Sequence, residues 1–354
     1  MVSDLPRGVA IVGAGAIGSL VGARLLSARA PVTLIGRAEP MRAIREHGLI
    51  LERHWRRPVI LHDLEAVTAW EELSPAEVAN IGLVIITTKV HDTAEAAAGL
   101  RGHVPPEVPL LVLQNGVGGV DLARAEVGAR PLLAGVITLV AVQPQPGVVR
   151  SLSRRGGVAI APVTAPPELA AQVTSLFAAA GLPARLCADY RAMTWSKLLL
   201  NMLGNAVPAI TNLPSREVFN DLALCRLEIA AFREALAVLR AQAIRPVDLP
   251  GYPVPLLAQA IERLPVPILH RLLPRLVAGS RAGKQPSLQM DLQRGRTRSE
   301  VSYLNGAVVE RGLELGVPVP ANALICRTLT AMAGGSIPLD AYAANPHSLL
   351  APLR

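Results

Sequence analysis

Residues 9–18 read V-A-I-V-G-A-G-A-I-G, and their reading decides the fold of the first half of the chain. Val9 to Val12 is a short apolar run, suited to a buried parallel strand. Gly13 to Gly18 follow at once as G-x-G-x-x-G, and Ser19 to Ala28 reads as an Ala- and Leu-rich helix. Pro31 to Ile35 is a second strand. Strand, glycine turn, helix and strand within about 30 residues form a dinucleotide-binding unit. Gly13 makes the tight turn, Gly15 lets the backbone approach a pyrophosphate, and Gly18 lets helix and strand pack closely. Ala16 and Ile17 open the helix, whose free N–H groups suit phosphate oxygens.

The second strand ends in Gly36-Arg37. No acid stands there to hold a ribose 2′-hydroxyl, whereas Arg37 suits a 2′-phosphate. NADP(H) is therefore favoured over NAD(H). Residues 48–61 alternate loosely, as a hairpin or a pair of edge strands. Ile81 to Thr87 is a third buried strand, running into Thr88-Lys89-Val90-His91-Asp92. Residues just past the carboxyl end of a strand line the ligand crevice of a doubly wound sheet, so Lys89 is expected at the cofactor or substrate. His91 is read as structural. Pro109 to Leu113 is the next strand, and Asn115 in the Q-N-G that ends it is a candidate for contacting nicotinamide ribose or substrate. Strands are also expected over 132–142, 148–152, 159–161 and 184–187, with a helix over 168–180.

After Asp189 the alternation of strands and helices stops. The stretch W-S-K-L-L-L-N-M-L-G-N, residues 195–205, reads as one apolar helix continuing to Val207 and stopped by Pro208. Lys197, Asn201 and Asn205 recur on it at i, i+4 and i+8, one slowly drifting stripe. Such polar groups are costly in apolar surroundings unless they face water, a ligand or internal partners. A long amphipathic helix is expected over 221–243. The Pro-rich stretch from Arg245 to Lys284 reads as short helices separated by kinks, a flap or an oligomer contact, with a homodimer as the candidate assembly. Helices are expected over 286–294 and over 300–315 with Ser299 as cap. A last helix, capped by Asn322, precedes a loosely held tail. The expected division is 1–188 for the cofactor domain, 189–335 for a helical catalytic domain and 336–354 for the tail, with the active site in the cleft between the domains.

Length and composition agree. The chain has 354 residues, about half of them apolar, enough for two ordinary domains. The net charge of +8 comes mostly from Arg and suits anionic small molecules. Scarce aromatics and the lack of any Lys/Arg block of five argue against nucleic acid. The isolated cysteines Cys187, Cys225 and Cys326 offer no zinc site or disulfide framework and fit a reducing cytoplasm. The start of the chain lacks a signal-peptide cleavage pattern. No apolar run reaches the roughly 18 residues of a membrane span.

G-A-G-A-I-G at 13–18, T-K at 88–89, Q-N-G at 114–116, K-L-L-L-N-M-L-G-N at 197–205, P-S-L-Q-M-D at 286–291 and R-S-E-V-S-Y-L-N-G at 298–306 stand in this order. Together they resemble the ketopantoate reductases (2-dehydropantoate 2-reductases) over almost the full chain. The resemblance implies an N-terminal Rossmann-type doubly wound sheet and a C-terminal helical domain like that of 6-phosphogluconate dehydrogenase. It implies NADPH-dependent reduction of 2-dehydropantoate to (R)-pantoate in pantothenate and coenzyme A biosynthesis. Lys197 matches the family's general acid and Glu300 the acid that orients the chemistry. Asn201, Asn205 and Ser287 match substrate contacts. Lys89 and Asn115 match cofactor and active-site positions, and Arg37 the 2′-phosphate contact. Two departures stand out. The run from Asp291 to Glu300 is one residue longer than the commonest spacing, and Ser299 stands where Thr is usual. The Arg245–Lys284 insertion, which shorter members lack, is placed to reshape the substrate pocket, and a related NADPH-dependent reductase of another 2-oxo acid is the alternative. A non-catalytic NADPH-binding protein is the remaining alternative, against which the joint presence of a proton donor, two Asn and an acid argues.

Overall fold

The computed structural model describes residues 8–53, 56–153, 155–281 and 285–353. The reading of the chain start falls on residues 1–7, and the end of the Pro-rich stretch on 282–284, outside the described residues. The chain forms two compact units. The first runs to Thr194 and takes in Leu249–Tyr252; the second comprises Trp195–Asp248 and the chain from Pro253 on.

The first unit opens with β1 (Val9–Val12), α1 (Ala16–Ser27), β2 (Val32–Ile35), α2 (Ala38–His47), β3 (Leu49–Arg53), β4 (Arg56–Leu61) and β5 (Glu65–Val67). It continues with α3 (Pro75–Ala79), β6 (Leu83–Ile86), α4 (Thr93–Ala98), β7 (Leu110–Leu113), α5 (Gly119–Val127) and β8 (Leu132–Ile137). β9 (Ala141–Gln145), β10 (Val148–Ser151), β11 (Val158–Pro162), α6 (Pro167–Ala179) and β12 (Ala184–Leu186) complete it. The large sheet has the order β12-β11-β8-β7-β6-β1-β2-β5. Its six strands from β8 to β5 are parallel, in the doubly wound arrangement whose order reverses beside β1. β11 runs antiparallel to β8, and β12 parallel to β11. Burial on both faces explains the uninterrupted apolar runs of β1, β6 and β7.

A second sheet, β4-β3-β10-β9, covers α1 from the other side. Leu20, Leu25, Leu49, Leu51 and Val149 join one core with the large sheet. The single strand expected over 132–142 is therefore two strands in different sheets. The break is built at Thr138, whose buried hydroxyl accepts from Gly157 N–H (2.9 Å) and donates to Pro250 C=O (2.8 Å).

The second unit is helical. α7 (Tyr190–Met202) begins in the first unit and ends in the second. α8 (Ala206–Thr211), α9 (Ser215–Asn220), α10 (Leu222–Ala241), α11 (Val254–Arg263), α12 (Val266–Arg281), α13 (Ser287–Gln293), α14 (Asn305–Leu315) and α15 (Pro320–Ala333) follow. α10 is the axis, packing against α9, α11, α14 and α15. Its N-cap is Asp221, which accepts from Ala223 and Leu224 N–H at 2.9 Å each. Asn322 does not cap the last helix. Glu234 of α10 does, accepting from Ala321 and Asn322 N–H at 2.8 and 2.9 Å. The tail is docked rather than loose: Leu349 is buried and His347 meets Asp221 at 2.6 Å. Among the described residues no helix is long and apolar enough to cross a membrane.

One buried charge fastens the first unit. Arg130 donates to the carbonyls of Val104, Pro105 and Val108 at 2.9, 2.8 and 2.6 Å while almost fully buried. Arg130→Met would leave three acceptors without their donor, those of Val104 and Val108 in buried residues, at about 1–3 kcal/mol for each truly orphaned group. Partial relaxation brings the expected loss to about 3 kcal/mol by chemical denaturation; a loss below about 1 kcal/mol would contradict the fastening role.

Candidate active site

The glycine turn is shaped by what lies against it. Gly13 has φ +104°, and a Cβ there would stand 2.7 Å from Thr88 N and 2.9 Å from Thr87 C. A Cβ on Gly18 would stand 2.3 Å from Gly13 O and 2.5 Å from Thr87 Oγ1. Thr87 Oγ1 donates to Gly13 O at 2.7 Å. These two glycines are thus required by the protein's own packing. Gly15 is not: a Cβ there would meet nothing within 4 Å. It is exposed and occupies the N-cap of α1, a position with no side-chain cap and no acid in the following turn. Ala16, Ile17 and Gly18 begin a helix whose first N–H groups have no acceptor within it. An open backbone at a cationic helix end is what a pyrophosphate needs, so these residues fit the dinucleotide.

The other expected cofactor residues lie at the same end of the strands. Arg37 follows β2 and is exposed at the N-cap of α2. Lys89 follows β6 and is half-buried, and His91 beside it turns to Asp92 at 3.5 Å. Asn115 follows β7, in a loop bent by positive φ at Gly116 and Gly118. The structure adds Thr87, Thr93 and Gln114, which the sequence reading missed. Gln114 and Thr93 tie the loops after β6 and β7 together. Their position next to T-K and N-G was the available signal.

In the second unit Lys197 and Asn201 stand one turn apart on α7, with Lys197 Nζ donating to Asn201 Oδ1 at 2.8 Å. The uniform stripe expected through Asn205 is interrupted. Gly204 has φ +61°, α7 ends at Met202, and Asn205 is the N-cap residue of α8. The break is held by the buried Glu228, which accepts from Gly204 N–H at 3.0 Å, and by Ser215 Oγ, which donates to Gly204 O at 2.8 Å. Pro208 lies inside α8 and stops nothing.

The break brings Asn205 to α13. Asn205 Nδ2 and Ser287 Oγ are 3.4 Å apart, and Asn205 Oδ1 accepts from Leu288 N–H at 3.3 Å. Ser287 is the first residue of α13, while Pro286 holds the N-cap position. Between Asp291 and Glu300 the chain turns at Gly295 (φ +68°), and Arg296 pairs with Asp291 at 3.4 Å. Glu300 does not open a long α-helix. It begins a 3-10 turn, Glu300–Tyr303, with Val301 N–H donating to Ser299 Oγ at 3.2 Å; Leu304 (φ −112°, ψ −96°) separates it from α14. The unit thus carries an ammonium, two amides, a hydroxyl and a carboxylate, groups able to bind an oxygen-rich acid and deliver a proton. Buried thiols offer no competing nucleophile, since burial pushes Cys225 up to about 12 and raises Cys187.

A family model described as "Ketopantoate reductase PanE/ApbA" matches residues 9–164, and one described as "Ketopantoate reductase PanE/ApbA C terminal" matches residues 189–333. The chain is similar to a 2-dehydropantoate 2-reductase of Halobacterium salinarum, at 29% identity over 334 residues that cover 91% of this chain and 96% of that protein. A 2-dehydropantoate 2-reductase of Caulobacter vibrioides is 30% identical over 263 residues, 73% of this chain and 80% of that one. Among solved structures, a PanE/ApbA family ketopantoate reductase from Ralstonia eutropha JMP134 superposes with a TM-score of 0.76 at 30% identity, covering 93% of this chain and 99% of that one. D-mandelate dehydrogenase, in a ternary structure with NADH and anilino(oxo)acetate, gives 0.78 at 22% identity, covering 93% and 98%, a likeness of fold alone.

Two alanine substitutions separate packing from binding in the glycine turn. Gly18→Ala forces a Cβ onto Gly13 O and should lower the melting temperature by several degrees, at about 1–3 kcal/mol for the overpacking. Gly15→Ala should leave melting unchanged and weaken dinucleotide binding at least about tenfold, one close backbone–phosphate contact being worth more than about 1.4 kcal/mol. Equal dinucleotide affinity in wild type and Gly15→Ala would contradict the assignment.

Proposed function

The chain belongs to the ketopantoate reductase family, and from that premise we propose that it reduces 2-dehydropantoate to (R)-pantoate with NADPH, in the supply of pantothenate and coenzyme A. The observation that carries the reading is the polar set of the second unit. Lys197 is joined to Asn201 and Asn205 to Ser287, in stretches that also bury Leu198, Leu199, Met202, Leu203 and Leu288.

In this reading Gly13, Gly15, Ala16, Ile17 and Gly18 hold the pyrophosphate, and Arg37 the 2′-phosphate. Lys89 and Asn115 hold the ribose and reach the substrate. NADPH, when bound, supplies the hydride that C2 of the 2-oxo acid receives. The carbonyl electron pair then moves onto oxygen, and Lys197 Nζ delivers a proton there, giving the hydroxyl. An ammonium aimed at the developing alkoxide also stabilises it before the proton moves. Asn201 holds the ammonium through its 2.8 Å bond, Glu300 orients the chemistry, and Asn205 with Ser287 takes the substrate's hydroxyl and carboxylate. Lys197 recovers its proton from solvent. The charge of +8 favours capture of both anionic reactants. The same reading gives a cytoplasmic homodimer.

Three measurements test this. Across a panel of 2-oxo acids with NADPH, kcat/KM should be highest for 2-dehydropantoate; a higher value for another 2-oxo acid would reassign the substrate within the same chemistry. Lys197→Ala should lower kcat by about 10²–10⁴, the usual worth of a positioned proton donor, with NADPH affinity within about twofold of wild type. Full turnover by Lys197→Ala would end its assigned role. Arg37→Ala should cost NADPH about 10- to 100-fold in affinity and leave NADH unaffected, as loss of a charge-assisted bond to phosphate predicts. Equal losses for the two cofactors would contradict the 2′-phosphate contact.

A further inference from the structure

Gln114 sits at the carboxyl end of β7, almost fully buried, and its amide crosses to the loop after β6. Nε2 donates to Thr88 C=O at 2.8 Å. Thr93, fully buried at the start of α4, places Oγ1 2.8 Å from Nε2 and 3.0 Å from Oε1. The hydroxyl proton goes to Oε1, so both ends of the amide are engaged. Space around it is closed as well: a Cβ on Gly119, the first residue of α5, would stand 2.3 Å from Oε1.

The placement of these bonds is specific. Gln114 precedes Asn115 in the chain, and the carbonyl it grips belongs to Thr88, which precedes Lys89. One side chain therefore sets the starting point of both residues. Thr88 N in turn lies against Gly13, close enough that no Cβ fits between them. The glycine turn, the Lys89 loop and the Asn115 loop form one connected series, with Gln114 as the link between the last two. An apolar residue would fill the same buried space at lower desolvation cost. An amide satisfied at both ends fixes direction as well as volume.

We propose that Gln114, oriented by Thr93, is a positioning residue that holds Lys89 and Asn115 in register for the bound cofactor. This rests on the reading of Lys89 and Asn115 as cofactor and substrate contacts.

The test measures NADPH dissociation constants, kcat and KM for 2-dehydropantoate, and melting temperature. The variants are Gln114→Leu, Thr93→Val, Thr93→Ser and Gly119→Ala, with Lys89→Ala and Asn115→Ala beside them. Gln114→Leu and Thr93→Val should weaken NADPH binding and lower kcat by about tenfold each, as the loss of one or two hydrogen bonds implies. Gly119→Ala keeps the amide but displaces it, and should do the same. Thr93→Ser keeps the hydroxyl and should restore wild-type binding and turnover. A purely structural role would lower only the melting temperature. NADPH affinity and kcat within twofold of wild type in folded Gln114→Leu would overturn the proposal while Lys89→Ala and Asn115→Ala remain impaired. If Gln114→Leu does not fold, the contrast of Thr93→Val with Thr93→Ser decides in the same way. If Lys89→Ala and Asn115→Ala themselves leave binding and turnover unchanged, the reading of the two loops fails and the proposal falls with it.

Discussion

The contact on which the first unit depends is the seating of the Thr87–Thr88 backbone against the glycine turn. A Cβ at Gly13 would come within 3 Å of that backbone, and one at Gly18 would collide with Thr87 Oγ1 and Gly13 O. The approach brings the ends of β1 and β6 together beside the point where strand order reverses. In a parallel sheet that point is where ligands bind, because the loops leave in opposite directions there. Gly15 is left as the one glycine of the motif with open space in front of it. Two of the three glycines are therefore required by the protein's own packing, while the middle one could carry a Cβ without meeting any protein atom.

A comparable constraint shapes the second unit. The apolar helix carrying Lys197 does not continue through Asn205, because Gly204 takes a left-handed conformation clasped by Glu228 and Ser215. A continuous helix would have left Asn205 on the α7 stripe. The break turns it to Ser287 instead, so residues far apart in the chain share one polar cluster. Glycine takes this positive φ without the steric penalty a Cβ would bring, and the bond from its N–H to the buried Glu228 carboxylate holds the turn.

The doubly wound sheet was legible because its signals are local: an apolar run, a glycine turn and a helical period within one short stretch. The small sheet was not, since β3 pairs with β10, far away in sequence, and neither strand reveals its partner. Residues 132–142 read as one strand because their apolar run continues past the break at Thr138, which only Gly157 and Pro250 explain. Of the candidate site, Lys197, Asn201 and Ser287 were legible as residue types in order. The capping of α15 by Glu234 was not, because it is decided by a side chain of another helix; nor was the 3-10 turn at Glu300, which the backbone of Leu304 (φ −112°, ψ −96°) ends before α14 begins. Gln114 went unread because its amide acts on Thr88, a loop away.

The proposed reaction delivers hydride to C2 of 2-dehydropantoate and a proton to its carbonyl oxygen. Incubating the purified protein with 2-dehydropantoate and NADPH deuterated at both nicotinamide C4 positions, then locating the label in the product, tests this most directly. The expected product is (R)-pantoate carrying a single deuterium at C2. Oxidation of the cofactor without labelled pantoate, or pantoate without deuterium at C2, would contradict it.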